Sequence, residues 1–152
     1  MSDVKIMLVD DEERFLTTTQ KLLAKKGYEV DIASSGQTAL EKLSTQNIHV
    51  VILDVKMPGM DGVTTLKEIK RIFPLVEVIM LTGNATVDSA IDGLKSGAFD
   101  YLMKPADIEE LMEKVEEAYD KRRQLEEKIR MAEFRKSMKS PREILKQSEG
   151  SE

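Results

Sequence analysis

Apolar residues recur along the first 119 positions in two alternating rhythms. Short aliphatic or β-branched runs occupy 4–9, 28–33, 49–53, 76–81 and 99–103, each of a length that suits a buried strand. Between them the apolar positions take helical spacing, as in Phe15, Leu16, Leu22 and Leu23, then Leu66, Ile69 and Phe73, then Val87, Ala90, Ile91 and Leu94. A shorter helical segment covers 36–44 with Ala39, Leu40 and Leu43. Gly27, Gly83 and Gly97 mark element ends, and Met57-Pro58-Gly59-Met60-Asp61-Gly62 reads as a turn before a helix. Strict strand–helix alternation, five times over, predicts a parallel sheet with helices on both faces. The sequence shows no internal repeat and no low-complexity segment.

The last helix starts near Asp107 and meets no stop signal at Tyr119. Ile108, Leu111, Val115, Ala118, Leu125, Ile129 and Ala132 continue a 3-4 spacing that Arg122 interrupts. The stripe before Tyr119 must also cover the sheet, which leaves about two heptads beyond it, a marginal length for independent association. Glu117 with Lys121, Arg122 with Glu126 and Glu126 with Arg130 suit a solvated helix. Ile or Val at one heptad position with Leu at the other is compatible with a parallel two-stranded coil, so a homodimer or partner-binding helix is the alternative. Ser140-Pro141-Arg142-Glu143 reads as a capping box opening a short final helix.

Charge sharpens the division. Residues 1–119 carry 13 Lys and Arg against 21 Asp and Glu, a balance of −8, and 120–152 carry 10 against 7, a balance of +3. The expected organisation is an acidic domain over 1–119 and a charged helical extension over 120–152. A balance of +3 interleaved with acids is a poor footprint for nucleic acid. The remaining 33 or so residues are too few for an ordinary helix-turn-helix or ATPase module, so direct transcriptional control is not expected. The 152 residues contain no cysteine, which excludes disulfides, thiol catalysis and cysteine zinc sites. Without an export signal or an apolar run of about 18 residues, the expected location is cytoplasmic, off the membrane.

The chemistry concentrates at strand ends. Asp10 and Asp11 follow the first strand and Asp54 follows the third. Doubly wound sheets bind ligands outside the carboxyl ends of their strands, where the strand order reverses. In the flavodoxin-like order 2-1-3-4-5, an order borrowed from that fold class, the reversal falls between strands one and three. Three carboxylates 4 to 5 Å apart repel by roughly 3 to 4 kcal/mol per pair at an effective dielectric near 20, and a divalent cation is the natural remedy. Mg²⁺ suits a small open acidic cluster. Thr82 ends the fourth run and Lys104-Pro105 follows the fifth, so the same edge offers a hydroxyl and an ammonium for an anionic group. An aspartate there can serve as nucleophile. Taken singly, each residue has a plainer reading: Asp10 to Glu13 as helix N-terminal charge, Thr82 as a turn residue, Lys104 as a solvated charge, and His49 as structural.

With Leu8-Val9-Asp10-Asp11-Glu12, Val51 to Gly62, Leu81-Thr82-Gly83 and Phe99 to Pro105 in order and spacing, the chain resembles the receiver domain of two-component response regulators over residues 4 to about 119. The resemblance implies that Asp54 is the phosphoacceptor and that a histidine kinase or histidine phosphotransfer protein is the donor. It implies Mg²⁺ (or Mn²⁺) held by Asp11, Asp54 and the Lys56 backbone carbonyl, with Asp10 acting mainly through water. Lys104 and Thr82 would contact the phosphoryl oxygens, and the Lys104–Pro105 peptide would be cis. Thr82 and Tyr101 would form the switch that reshapes the face of helix 4, strand 5 and helix 5 for partner binding or dimerisation. Lys56 and Asn84 would border the path of the hydrolytic water, Lys56 slowing loss of the group, and Gly83 would leave room for it. Such a protein catalyses only its own phosphorylation and dephosphorylation. An aspartate-nucleophile phosphatase needs an Asp-x-Asp, which Asp54-Val55-Lys56 does not supply. A degenerate receiver used only for binding is disfavoured, because every expected site residue is present.

Overall fold

The structure, a computed structural model, describes residues 3–55, 61–83 and 87–138, with the side chains of 87–89 left aside. The 57–60 part of the Pro-Gly turn and the capping box at 140–143 lie outside the described residues.

The alternating pattern folds as β1 (Lys5–Val9), α1 (Glu13–Lys25), β2 (Glu29–Ala33), α2 (Gly36–Leu43), β3 (Val50–Leu53), α3 (Gly62–Ile72), β4 (Glu77–Thr82), α4 (Val87–Lys95), β5 (Asp100–Met103) and α5 (Ile108–Ser137). The five strands are all parallel, in the order β2-β1-β3-β4-β5. Successive side chains of a strand point to opposite faces, so each central strand feeds two cores. Ile6 and Leu8 of β1 pack with Leu16 and Leu23 of α1 and Leu111, Val115 and Ala118 of α5. Met7 and Val9 pack on the other face with Ala39 and Leu43 of α2 and Leu66 and Ile69 of α3.

Local chemistry sets the helix ends. Ser35 accepts a hydrogen bond from the Thr38 N–H at 3.1 Å, and Asp61 accepts one from the Thr64 N–H at 2.8 Å, each a side-chain cap on a helix start. Gly27 (φ 95°) and Gly97 (φ 107°) take the left-handed conformation that ends α1 and α4.

Two expected helix faces, those of α1 and α4, are corrected, while Leu66, Ile69 and Phe73 of the α3 face pack against one core as expected. Leu22 is 44% exposed, because the stripe of α1 that meets the sheet runs through Leu16, Thr19 and Leu23, and Leu22 lies a third of a turn away. Phe73 is the residue capping α3 at its C-terminus, beyond the last helical turn, and packs there partly buried. Among the described side-chain positions of α4 the buried one is Gly93: a Cβ on it would lie 3.6 Å from Met80 Cγ and 3.8 Å from Tyr101 Cδ2. The helix therefore approaches the sheet closely through its glycine, leaving Ile91 and Leu94 44% and 47% exposed.

The chain divides into two compact units, Met1–Arg122 and Arg123–Glu152, so the first unit runs three residues past the boundary suggested by charge. Side-chain ties explain the difference. Arg122 Nη1 donates to the Ile48 carbonyl at 2.7 Å, and Lys121 Nζ lies 3.5 Å from Glu77 Oε2. Lys121 thus reaches the sheet, while the carboxylate expected beside it, Glu117, pairs with Lys114 at 3.4 Å. His49 is structural, accepting the Lys5 N–H on Nδ1 at 2.9 Å and facing the Tyr119 ring at 5.0 Å.

Glu77 is 1% exposed at the first position of β4. Its Oε2 accepts no hydrogen bond among the described residues, and its charge is met by Lys121 and by Lys70, whose Nζ lies 3.7 Å from Oε1. Burial holds the Lys70 ammonium below its usual pKa, and Glu77 opposes that shift. Lys70 also donates to the Pro74 and Val76 carbonyls at 2.9 Å each. Elsewhere, burial and a 2.7 Å hydrogen bond to Glu116 raise the pKa of the Tyr28 hydroxyl. Removing one member of a buried ion cluster strands the others, whereas solvent screens an exposed pair such as Arg71 with Glu68. Glu77→Ala is expected to lower unfolding free energy by about 2 kcal/mol, discounted for the part-exposed lysines. Glu68→Ala is expected to cause no measurable loss. Urea denaturation checks both, and equal effects would contradict the assignment of Glu77 as a buried anchor.

Candidate functional site

The order reversal falls between β1 and β3, and the acids stand there. The Asp54 N–H donates to the Val9 carbonyl at 2.9 Å and the Asp10 N–H to the Ala33 carbonyl at 3.1 Å, so the strand ladders continue into the site and fix where these side chains start. Carboxylate oxygens of Asp10, Asp11 and Asp54 lie within 4.8 Å of one another. Asp10 and Asp54 are buried, at 1% and 7% exposure, and Asp11 is exposed. At that separation and an effective dielectric near 20, each pair repels by about 3 kcal/mol.

Lys104 offsets part of this repulsion. It follows β5, its N–H donates to the Thr82 carbonyl at 2.8 Å, and its Nζ reaches Asp10 Oδ2 at 2.5 Å. The Lys104–Pro105 peptide is cis. Asp10 Oδ1 accepts the Glu12 N–H at 2.9 Å, so both of its oxygens are engaged. Thr82 closes β4 at 1% exposure.

Tyr101 is half-buried and packs in the core between the sheet and helices α2 and α3. In register, Met80 pairs with Tyr101 and Thr82 with Met103, which puts Thr82 and Tyr101 on one sheet face as diagonal neighbours on adjacent strands. Gly83 is exposed, and a Cβ there would stand 3.8 Å from Lys104 Cβ, an ordinary contact. Lys56 and Asn84 lie outside the described residues.

Three contributors escaped the reading of the sequence. Phe15 presents its ring to Lys104 Nζ at 4.0 Å from the centroid, a cation–π contact on the residue next to the buried Leu16. Glu12 Oε1 lies 3.8 Å from the same ammonium. Gly62 is required by close approach: a Cβ there would sit 2.2 Å from the Asp54 carbonyl oxygen. The glycine beside Asp61 was a visible signal of a turn, but its contact with the Asp54 backbone is tertiary.

The three carboxylates are hard oxygen donors with no histidine or cysteine among them, a set that suits a divalent cation such as Mg²⁺ or Mn²⁺. No helix of the described residues is long and apolar enough to cross a membrane.

The fold and site define a doubly wound α/β domain with an acid cluster and a lysine at its switch point. The family model for the response regulator receiver domain matches residues 6–116. The chain belongs to this family, the receiver domains of two-component signalling. It is 42% identical to the transcriptional regulatory protein ZraR of Escherichia coli K12 over 116 residues, 76% of this chain and 26% of that protein. A response regulator receiver domain protein from Clostridium thermocellum superposes with a TM-score of 0.76 at 40% identity, covering 80% of this chain and 98% of that one. The solution structure of the beryllofluoride-activated NtrC4 receiver domain dimer superposes with a TM-score of 0.73 at 33% identity, covering 78% of this chain and 98% of that one. The chain spans about a quarter of the length of the curated relatives it matches.

Mutual repulsion in the cluster makes a direct prediction. In the presence of a chelator, Asp54→Asn is expected to raise unfolding free energy by on the order of 1 kcal/mol, a solvent-screened fraction of the pair repulsion. Denaturant unfolding in EDTA measures it, and a clear loss of stability would mean that the acids do not repel.

Proposed function

We propose that Asp54 is the phosphoacceptor of a two-component switch. The observation that carries this reading is the meeting of Asp10, Asp11 and Asp54 carboxylates within 4.8 Å of one another, with the Lys104 ammonium on Asp10. An Asp54 oxygen attacks the phosphorus of a phosphohistidine on a sensor kinase or phosphotransfer protein. The new O–P bond forms as the N–P bond breaks, and the imidazole leaves. Hydrolysis of the acyl phosphate returns the carboxylate and inorganic phosphate, so the chain catalyses only its own phosphorylation and dephosphorylation. Asp11 and Asp54, with the Lys56 carbonyl that the resemblance implies, would hold Mg²⁺ or Mn²⁺, Asp10 would contribute through water, and the ion would neutralise charge on the acids and on the phosphoryl oxygens. Lys104 turns from Asp10 to the phosphoryl oxygens, the Thr82 hydroxyl donates to one of them, and Gly83 leaves space beside it.

The added charge of about −1.5 to −2 draws Thr82 toward the acceptor, and Tyr101, its diagonal neighbour, follows. The face of α4, β5 and α5 then changes. Its apolar Ile91, Leu94 and Met103 are 44%, 47% and 54% exposed, as a surface for a downstream protein or a second copy requires. A cytoplasmic location fits this chemistry.

With Mg²⁺ and acetyl phosphate, the intact mass of the wild type is expected to rise by one phosphoryl group. The gain should vanish in EDTA and in Asp54→Ala. An equal gain in Asp54→Ala would overturn the assignment.

A further inference from the structure

Lys104 reaches the acidic cluster from the end of β5, and one short stretch of chain receives its charge. The ammonium meets Asp10 Oδ2 at 2.5 Å, Glu12 Oε1 at 3.8 Å and the face of the Phe15 ring, whose centroid lies 4.0 Å from Nζ. The lysine side chain is 15% exposed and that of Glu12 is 69% exposed, so solvent screens the glutamate and leaves the ring as the second hold on the charge. Phe15 is the third residue of α1, one position before the buried Leu16, and its half-buried ring packs against the core that α1 shares with the sheet. A leucine would fill that space as well. Only an aromatic ring supplies the negative face that attracts an ammonium. The lysine stem is uncrowded at Gly83, where even an added Cβ would stand 3.8 Å from Lys104 Cβ and 3.9 Å from Cδ.

We infer that Phe15 is a positioning residue, which seats the Lys104 ammonium beside Asp10 in the resting domain and restrains it from leaving for a phosphoryl group on Asp54. The inference rests on the reading of Asp54 as acceptor and of Lys104 as the residue that turns to its phosphoryl oxygens. Asp10 and Phe15 both belong to the segment that follows β1, whereas Asp54 follows β3. A cation–π attraction fades beyond about 6 Å from the ring centroid, so a move of about 2 Å toward β3 releases the lysine from the ring. A contact made in only one of two states shifts the balance toward that state by its own free energy. The ring therefore favours the resting arrangement, and any group on Asp54 that draws the lysine binds more weakly because of it. A side chain that only filled space would support both states alike and shift nothing.

Beryllofluoride with Mg²⁺, a stable mimic of the phosphoryl group, reads this balance without turnover when titrated into the full chain. Phe15→Leu should bind it about threefold more tightly than the wild type, the effect of losing one partly exposed cation–π contact. Phe15→Tyr keeps the ring face and should restore the wild-type affinity. Proton NMR of the wild type should show the Lys104 Hε resonances moved upfield by the ring, then returning toward ordinary lysine positions as beryllofluoride binds. That shift is measured on the unmutated chain, so it decides the matter even if Phe15→Leu fails to fold. An affinity of Phe15→Leu no tighter than that of the wild type, or Lys104 resonances that stay ring-shifted in the complex, would overturn the role of Phe15 and leave Asp54 as acceptor. Binding that Asp54→Ala retains in full would instead remove the acceptor reading, and this inference with it.

Discussion

Repulsion among three carboxylates is the constraint around which this domain is arranged. Asp10 and Asp54 are held at the tips of adjacent strands by the same backbone ladder that pairs β1 with β2 and β3, so neither can move off without losing hydrogen bonds. Lys104 brings a positive charge across from β5, and the Phe15 ring supports it. A site loaded in this way has the donor set that a divalent cation needs. It also leaves a nucleophilic oxygen beside a group that can neutralise an incoming anion.

The strand order makes the site reach further than its own residues. β4 carries Glu77 at one end and Thr82 at the other. Thr82 shares a sheet face with Tyr101, and α4 rides over Met80 and Tyr101 on a glycine. Among its described side chains, that helix leaves the bulky Ile91 and Leu94 exposed, an arrangement suited to repacking at modest cost. The opposite end is built differently. The Lys121–Glu77 ion pair, the Arg122 hydrogen bond to the Ile48 carbonyl and the His49–Tyr119 ring contact tie α5 to the base of the sheet, which sets where the compact unit stops.

Much of this was legible in the residues. Period and length located all five strands to within a residue or two, and the acids stood out because Asp10, Asp11 and Asp54 directly follow apolar runs. The helix faces were harder. Leu22 and Ile91 look like core positions because leucine and isoleucine usually are, but the rotation of a helix is set by its closest contact, which in α4 is Gly93. Glu77 was hidden inside an apolar run, since its compensation comes from Lys70 on the preceding helix and from Lys121, distant in sequence. Phe15 packs against the core as read, and its second contact, with the Lys104 ammonium, is tertiary and invisible in the sequence. Chain connectivity marks elements well, and it is silent on which side chains meet across them.

The most direct test of the acidic cluster is the stability of the full chain against Mg²⁺ concentration. Ligand binding to the native state alone raises unfolding free energy by about 2.7 kcal/mol at a free concentration one hundred times the dissociation constant. The account predicts a rise of that size for the wild type and a much smaller one for Asp11→Asn. Identical unfolding curves in Mg²⁺ and in EDTA would contradict it.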